Sequence, residues 1–534
     1  MSGFREPEER RDQMVLYALL LDHAIAGNHP VRTLESILSS KPFAEAFQEM
    51  SEDYNLTEGK PPFHPKYLAA LWIYGMLNRL RSSRQLEGAC HNRIDFRWLM
   101  EGQTPDHSTI CGFVKRHQTR LKNLLKATLH VAVEANVLRV RHVAVDGSKV
   151  EASAGKGSMF ERATLEKKLA EVEKEVEETI REWDENEKKE AGQPEALCTP
   201  PKFESPEKAK AALEKEKVNL RAAIDAFDRR KKEHAESGAR NGPTPAASTT
   251  DPDARLMKDK EGRSKPNYTT QVGVEPDSGL ITAEDVTDAP WDGGGLVPMI
   301  EQTEQNTGTK PEVVSADSAY NTGPALLKLE QENVTAYMPD SGESRPSSQE
   351  RNAAIEAAQA GSGMTAEQIA LVTERRTNRL GRDAFKYDAS RNLYICPNGS
   401  ELRRLRTHPD VNVCGISSRT QYRSDPMICA GCPLRGACLT KRTASRMITR
   451  DQYEVHRATL RKRMATPEGR REYAKRTVTE RTHAWLKTVV GMRKFLRRKF
   501  DGVRAEFTMA CTALNMRILM QRLGQLAVAG ANEG

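Results

Sequence analysis

Apolar and polar positions along the chain change their spacing several times. Within residues 1–140, apolar runs such as LAALWIYGMLNRL at 68–80 alternate with polar starts such as Ser82, a good helix N-cap. This pattern is typical of short helices joined by tight turns. We therefore predict an N-terminal helical domain over 1–140. It is either a helix-turn-helix-like module for DNA binding or dimerisation, or a plain helical bundle.

Strand-like alternation begins at residue 142. The segment HVAVDGSKVEAS at 142–153 predicts a strand that ends near Asp146. Further strands are predicted in 268–276, 279–287 and 311–320, and Asp317 ends the last of them. With the intervening helices these elements predict an α/β core built from 141–154 and 266–340 and completed by 451–534.

Two insertions interrupt this core. In 155–265, apolar residues recur every three or four positions in two segments separated by a proline-containing stretch. The stripes are Leu165, Leu169, Val172, Val176, Ile180 and Trp183, then Leu213, Leu220, Ile224 and Phe227. They predict an antiparallel helical hairpin followed by a flexible linker at 237–253. Residues 341–450 form the second insertion, which is polar and poorly patterned at first and then rich in cysteine.

The segment YAKRTVTERTHAWLK at 473–487 raises a different question. Its Tyr, two cations, carboxylate and imidazole are spaced 3, 4, 3 and 4 residues apart. At about 100° per residue they fall within roughly 80° of one helix face. These residues are Tyr473, Arg476, Glu480, His483 and Lys487. Taken alone, the stripe is explained by a solvated face with an Arg476–Glu480 ion pair.

Composition limits the alternatives. The chain has 534 residues, and no run of 18 apolar residues occurs, which predicts no membrane span. The first residues lack the apolar core of a secretory signal, and nine cysteines in such a chain are expected in a reducing cytosol. A disulfide scaffold and a membrane protein are thus disfavoured.

Charge is concentrated in one part of the chain. Residues 441–504 contain 20 Lys or Arg and 6 Asp or Glu, a local net charge of +14, so that the remainder sums to −6. Aromatic residues such as Trp485 and Phe495 are interleaved with these basic ones. The pattern favours a nucleic-acid partner over a merely solubilising surface.

Three carboxylates are candidates for catalysis. Asp146 and Asp317 each follow an apolar strand and precede small residues, and Glu480 lies on the basic helix. Each aspartate alone is explained by a strand-terminal turn. Three such hard oxygen donors together can hold Mg²⁺ ions, which activate a nucleophile and stabilise a leaving 3′-oxygen.

These motifs together resemble the DDE transposases of bacterial insertion sequences. VAVDGSKVEA and VVSADSAY match the segments of the first two acids, and the pattern Y-x2-R-x3-E-x6-K is met in full. Residues from FHPKYLAALW to PDHSTICGF resemble the N-terminal domain of these transposases, and GMRKFLRRKFDGVRAEF resembles their C-terminal segment. Gaps of 171 and 163 positions between successive acids leave room for the two insertions.

The resemblance implies a ribonuclease-H-like mixed sheet with flanking helices. It assigns Asp146, Asp317 and Glu480 as catalytic ligands of two Mg²⁺ or Mn²⁺ ions. DNA is the implied partner, as the terminal inverted repeats of an element and as target. The implied DNA contacts are Tyr473, Arg476, Lys487, Arg493, Lys494, Arg497, Arg498 and Lys499. Glu472 is an alternative third acid outside the motif, and His483 has a structural or phosphate-contacting role.

The cysteines of the second insertion suggest a structural metal site. Cys396, Cys429, Cys432 and Cys438 have the spacing C…C-x2-C-x5-C, with turn residues beside them. Four thiolates would bind one structural Zn²⁺. Free, reduced cysteines are the alternative, and Cys414 is a substitute for Cys396.

The sequence therefore predicts a DNA transposase that cuts element ends and joins them to target DNA by metal-dependent hydrolysis and transesterification. Holding two ends implies at least a dimer in the DNA complex, and the expected location is the prokaryotic cytoplasm at the nucleoid. Two other functions remain open. One is a metal-dependent nuclease without strand transfer. The other is a non-catalytic DNA-binding descendant of a transposase, in which loss of an acid would be expected.

Overall fold

The computed structural model describes residues 21–55, 61–190, 206–236, 246–258, 262–340, 349–361, 363–374, 377–412 and 415–532. Cys198, Cys414 and residues 237–245 of the predicted linker lie outside these ranges. A search of the described part of the chain finds no helix with the length and apolar character needed to span a membrane.

Helices fill the described N-terminal part of the chain. They are α1 (Pro30–Leu38), α2 (Lys41–Ser51), α3 (Pro65–Leu77), α4 (Ser83–Asn92), α5 (Ile94–Leu99), α6 (His107–Arg116) and α7 (Leu121–Glu134). Ser82 starts α4 with a capping box, because its side chain accepts from Gln85 N and the Gln85 side chain accepts from Ser82 N. Helix α3 is apolar nearly all round and is buried along its length, so it lies at the centre of the group.

Six strands form a mixed sheet behind these helices. The strands up to residue 340 are β1 (His142–Glu151), β2 (Met159–Phe160), β3 (Ala247–Ser248), β4 (Arg255–Lys258), β5 (Ser264–Val274), β6 (Ile281–Thr287), β7 (Val313–Ala316) and β8 (Thr335–Tyr337). The sheet has the order β4-β5-β1-β7-β8, and β6 also pairs with β5. Strand β1 is antiparallel to β5 and parallel to β7, and β7 is parallel to β8. An α/β chain with a mixed sheet is thus confirmed.

Two strand predictions are corrected. Strand β1 does not end near Asp146, because residues through Glu151 continue to pair with β5. The predicted linker is wrong over its described part, since β3 pairs with β2 and Asp251 is buried against Tyr268. Strand β4 also joins the main sheet from the range assigned to hairpin and linker. These strands were not predicted, because they are short, contain polar residues and pair at an edge.

Two long helices, α8 (Arg162–Glu190) and α9 (Pro206–Glu236), follow β2 and pack against each other. Their apolar stripes meet in one cluster that includes Leu165, Val172, Leu213 and Leu220. Burial of these positions explains the helical spacing of an otherwise charged tract.

The main sheet is covered on both faces. Helices α10 (Leu296–Thr307) and α11 (Gly323–Gln331) cover the face to which Val143 and Val145 contribute. The N-terminal helices cover the other face together with the C-terminal ones. The remaining helices are α12 (Gln349–Ala360), α13 (Ala366–Val372), α14 (Pro426–Ala430), α15 (Arg435–Cys438), α16 (Glu454–Ala465), α17 (Pro467–Ala474), α18 (Thr477–Thr488) and α19 (Lys499–Asn532).

The second insertion contains more regular structure than its polar sequence suggests. After β9 (Thr373–Glu374) and β10 (Arg379–Leu380), an antiparallel five-stranded sheet forms. Its strands are β11 (Lys386–Asp388), β12 (Leu393–Ile395), β13 (Glu401–Asn412), β14 (Gly415–Ser424) and β15 (Met447–Asp451). The rings of Tyr387, Tyr394 and Tyr422 pack against one another at steep angles in its small core. A few aromatic residues therefore replace the long apolar runs by which strands are predicted.

A buried ion pair joins the N-terminal helices to α19. Arg81 donates to Glu506 Oε1 at 2.5 Å, and the two side chains are only 9% and 4% exposed. Arg81 also donates to the carbonyl oxygens of Gly491 and Lys494, and Glu506 accepts from Leu496 N. The pair thus fixes the loop that follows α18.

We predict that Arg81→Ala destabilises the protein by about 3–5 kcal/mol, because Glu506 remains buried without its counter-ion. Urea unfolding followed by tryptophan fluorescence measures the change. Lys41→Ala is the control, since Lys41 pairs with Glu45 at an exposed position and should leave the midpoint nearly unchanged. Equal midpoints for Arg81→Ala and Lys41→Ala would contradict the assigned role of Arg81.

Candidate active site

Two neighbouring parallel strands bring Asp146 and Asp317 to the same edge of the sheet. Val145 of β1 is in register with Ala316 of β7, so each aspartate is the next residue on its own chain segment. Parallel strands lie about 4.8 Å apart, and ligands of α/β sheets bind beyond their carboxyl ends. The pairing therefore puts both acids beside each other where a ligand can approach.

Asp146 is held by the backbone and by α18. Its Oδ1 accepts from Gly147 N at 2.9 Å, and its Oδ2 accepts from Arg476 Nη1 at 3.3 Å and Thr479 Oγ1 at 3.2 Å. Burial raises the pKa of Asp146, and the Arg476 charge opposes that shift. Asp317 accepts from Ala319 N at 2.8 Å, which caps the short turn after β7.

Arg476 links the first acid to the third. While Nη1 donates to Asp146, Nη2 donates to Glu480 Oε1 at 3.2 Å. The Glu480 side chain is 63% exposed, whereas the Arg476 side chain is 17% exposed. One guanidinium therefore bonds two carboxylates and connects Glu480 to Asp146 on β1.

The stripe predicted on one helix is divided between two. Helix α17 ends at Ala474 and α18 begins at Thr477, so Tyr473 precedes the break and Glu480 follows it. The Thr477 hydroxyl donates to the Ala474 carbonyl oxygen and the Thr479 hydroxyl to that of Arg476. Such side-chain bonds compete with helical ones, which explains the break. The stripe persists across it, because the Arg476 guanidinium lies 5.8 Å from the Tyr473 ring.

Comparison with known families decides the identity. The family model described as a transposase DDE domain matches residues 395–520, which include the Y-R-E-K residues. A second model, also described as a transposase domain, matches residues 19–116 in the N-terminal helices. The two matches support a DDE transposase of insertion-sequence type. The resemblance found in the sequence is confirmed at this level. Curated proteins gave no match to the chain.

The matched ranges include only one of the three predicted acids. Asp146 and Asp317 lie between them, and only Glu480 falls within the DDE match. The contacts of Arg476 and Thr479 with Asp146 therefore connect the matched segment to the sheet by geometry alone.

Glu472 is engaged away from these acids. Its Oε2 is 3.2 Å from His142 Nδ1, and Lys475 Nζ lies 3.0 Å from its Oε1. His142 starts β1, four residues before Asp146, which corresponds to about 13 Å along a strand. Burial lowers the pKa of His142 to about 4, and Glu472 opposes this shift. Glu472 thus has a local partner at the other end of β1.

The predicted DNA-contacting residues differ in their surroundings. Lys487 Nζ donates to Ser148 Oγ at 2.6 Å, and His483 is buried on α18. Lys494 lies 3.6 Å from Glu151, Arg498 donates to the Ser153 carbonyl oxygen, and the Arg497 guanidinium lies over Trp72. Lys499 starts α19, and its N–H donates to Asp251, whereas Arg493 is exposed. Several of these residues therefore also stabilise the fold.

A carboxylate missed in the sequence lies at the same site. Asp292 precedes α10, and burial together with the charges of Asp317 and Asp146 raises its pKa. A fully buried tyrosine, Tyr320, follows Asp317 in the same turn. The sequence offers one signal for this residue, the run WDGGG after a predicted strand. Such a run indicates close backbone approach.

The donor set suits a divalent cation. In the described part of the chain, no three His, Cys, Asp or Glu side chains are already gathered closely enough to hold a metal ion. Burial and the charges of Asp317 and Asp146 nevertheless raise the pKa of Asp292, and Tyr320 Oη is buried without a hydrogen-bond partner in that part. Hard oxygen donors with excess negative charge fit Mg²⁺ or Mn²⁺.

The four cysteines of the second insertion lie together. Cys396, Cys429, Cys432 and Cys438 all line one cavity of about 30 Å³. Burial raises the pKa of the Cys438 thiol to about 11, and the charges of the other three add to this. Cys396 Sγ accepts from Ser400 N in the tight turn at residues 397–399. Soft thiols in one small cavity have the donor chemistry of a zinc site.

Proposed function

We propose that this transposase cuts the ends of its element and joins them to target DNA, with Asp146, Asp317 and Glu480 as its catalytic acids. One observation supports this proposal above others. The β1–β7 register aligns Asp146 with Asp317, and Arg476 connects Asp146 to Glu480. These contacts support a shared site for three acids that come from distant parts of the chain.

We further infer a ribonuclease-H-like core. Its support is the strand order β6-β5-β1-β7-β8, in which β5 is antiparallel to both β6 and β1, whereas β7 and β8 are parallel to β1. The domain boundaries 1–140, 155–265 and 341–450 also stay predictions, as does a location at the prokaryotic nucleoid.

Asp146, Asp317 and Glu480 would hold two Mg²⁺ or Mn²⁺ ions. Such ions activate the attacking oxygen and stabilise the leaving 3′-oxygen. In the first step a water oxygen attacks phosphorus, the P–O3′ bond breaks, and the 3′-oxygen leaves as a hydroxyl. In the second, that hydroxyl attacks a target phosphodiester and breaks one P–O3′ bond there. One diester is made for each one broken, so this step needs no ATP.

Basic residues near the acids would position the DNA backbone. Arg476 bonds two carboxylates in this structure, and its planar guanidinium suits bidentate contact with a phosphate. Lys487 lies beside Ser148 of β1 as a point charge. Tyr473 can stack on an unpaired base. Terminal inverted repeats and target DNA are the proposed partners, and two ends require at least a dimer.

The two alternative functions predict different properties. A nuclease would share the first step but lack the second. A non-catalytic descendant would be expected to lack an acid, whereas Asp146, Asp317 and Glu480 are all present. The first alternative is tested by whether a cut 3′-end is joined to a second DNA.

We also propose one structural Zn²⁺ bound by Cys396, Cys429, Cys432 and Cys438. Their shared cavity supports this, and the ion would join the β12–β13 turn to α14 and α15. Its task would be to stabilise the small five-stranded sheet, whose aromatic core is limited.

Glu480→Gln should reduce Mg²⁺-dependent cleavage of an element end by several orders of magnitude, because a metal-binding charge is lost while the shape is kept. Binding of the same DNA in a gel shift should persist. Glu472→Gln is the matched control and should cleave at near wild-type rate, since Glu472 pairs with His142 and Lys475. If the two effects are reversed, Glu472 is the third acid.

Lys487→Ala should weaken DNA binding and lower the slope of log K against log salt by about 0.9. A gel-shift salt titration measures both. Lys328→Ala on α11, paired with Glu332, is the control and should leave the slope unchanged. An unchanged slope for Lys487→Ala would mean that Lys487 only supports Ser148.

Protein purified without chelator should contain about one zinc per chain by elemental analysis. Cys429→Ser combined with Cys432→Ser should abolish this zinc and increase proteolysis within 390–440. Cys111→Ser, outside the cluster, should keep the metal. Wild-type protein without zinc would refute the site.

A further inference from the structure

The glycine-rich loop at 291–295 contacts the segments of both aspartates. A methyl group on Gly147 would lie 2.5 Å from Asp292 Oδ1, and one on Gly293 would lie 2.9 Å from the Ala319 carbonyl oxygen. Gly147 follows Asp146, and Ala319 N donates to Asp317. Because these glycines have no side chain, the loop lies close to β1 at Gly147 and to the turn that follows β7.

The backbone of this loop is anchored independently of the carboxylate. The Asp292 carbonyl oxygen accepts from Gly295 N at 3.0 Å and from Gln271 Nε2 at 3.4 Å. Gln271 is buried on β5 and packs so closely on Gly295 that a methyl group there would lie 1.6 Å from its Oε1. The loop therefore presents the Asp292 side chain to β1 from a fixed position.

A second feature at this place indicates a ligand. Tyr320 is fully buried, and its Oη makes no hydrogen bond within the described residues. The same Oη would lie 3.3 Å from a methyl group on Gly147. Buried hydroxyls almost always have a partner, so an orphan hydroxyl that approaches Gly147 from the same side as Asp292 suggests that a further group binds there.

The negative charge around Asp292 favours binding of a cation. Asp292 is subject to the negative charges of Asp317 and Asp146, and Lys149 only partly offsets them. Arg476 donates its side-chain hydrogen bonds to Asp146 and Glu480 rather than to Asp292. A divalent ion among hard oxygen donors would remove this repulsion.

We propose that Asp292 is a fourth carboxylate of the metal centre and binds Mg²⁺ or Mn²⁺ together with Asp146 and Asp317, with Tyr320 Oη as a hydrogen-bond donor to the occupied site. This inference rests on the proposed function, in which Asp146 and Asp317 hold the metal. It makes the loop at 291–295 part of the active site.

Mn²⁺ titration of the full chain, followed by the electron paramagnetic resonance signal of free Mn²⁺, tests the proposal without catalysis. Asp292→Asn should weaken binding at least tenfold, and Asp292→Glu should restore part of it. Asp285→Asn is the matched control, because Asp285 is also half-buried but faces Arg504. It should bind like wild type. Near-wild-type affinity of Asp292→Asn would overturn the proposal.

Asp146→Asn separates this inference from the proposed function. If Asp146→Asn loses Mn²⁺ and Asp292→Asn keeps it, only the role of Asp292 fails. If both keep it, the metal centre itself is wrong.

Gly147→Ala tests the same contact from the side of β1. Its methyl group would displace the Asp292 carboxylate, so it should weaken Mn²⁺ binding in the wild type but add little to Asp292→Asn. Fully additive losses would show that the two residues act separately and would overturn the proposal.

Discussion

The parallel pairing of β1 with β7 is the constraint on which the rest of the site depends. Its register sets Asp146 and Asp317 side by side, although 171 positions separate them in the chain. A shift of one residue would turn one aspartate to the opposite face of the sheet. The apolar layers on both faces, with Val143 and Val145 on one and Ala144 on the other, oppose any such shift.

Negative charge collected in this way has to be balanced. In this structure Arg476 does so from α18, between Asp146 and Glu480, and the break between α17 and α18 gives its side chain that position. The residue that balances the acids is also suited to hold phosphate. Binding of DNA and occupancy by metal are therefore expected to be linked, since a metal on the acids would release Arg476 to bind a phosphate.

The arrangement also explains why the helices at the two ends of the chain belong to one unit. The Arg81–Glu506 pair fixes the loop after α18, and Glu151 of β1 meets that loop at Lys494 and Phe495. Basic residues expected to contact DNA are thereby anchored to the strand that holds Asp146. The same side chains can stabilise the fold and still present charge to a polyanion, because a long side chain needs only part of its surface for packing.

The sequence by itself determined the resemblance to DDE transposases, the three candidate acids and the helical spacing of α8, α9 and α18. These depend on local order, such as the spacing Y-x2-R-x3-E-x6-K and the apolar stripe through Leu165 and Val172. The sequence also indicated that Asp317 ends a strand, because the run before it is apolar and short.

Only the tertiary structure decided which side chains contact one another. It put Glu472 with His142, divided the motif stripe between two helices, and brought Asp292 to Gly147. It also showed a five-stranded sheet in residues without a strand pattern. Three tyrosines that pack against one another take the place of a continuous apolar face there. Spacing along the chain reports which face a residue occupies, whereas the neighbour across that face comes from a distant segment and is fixed by packing.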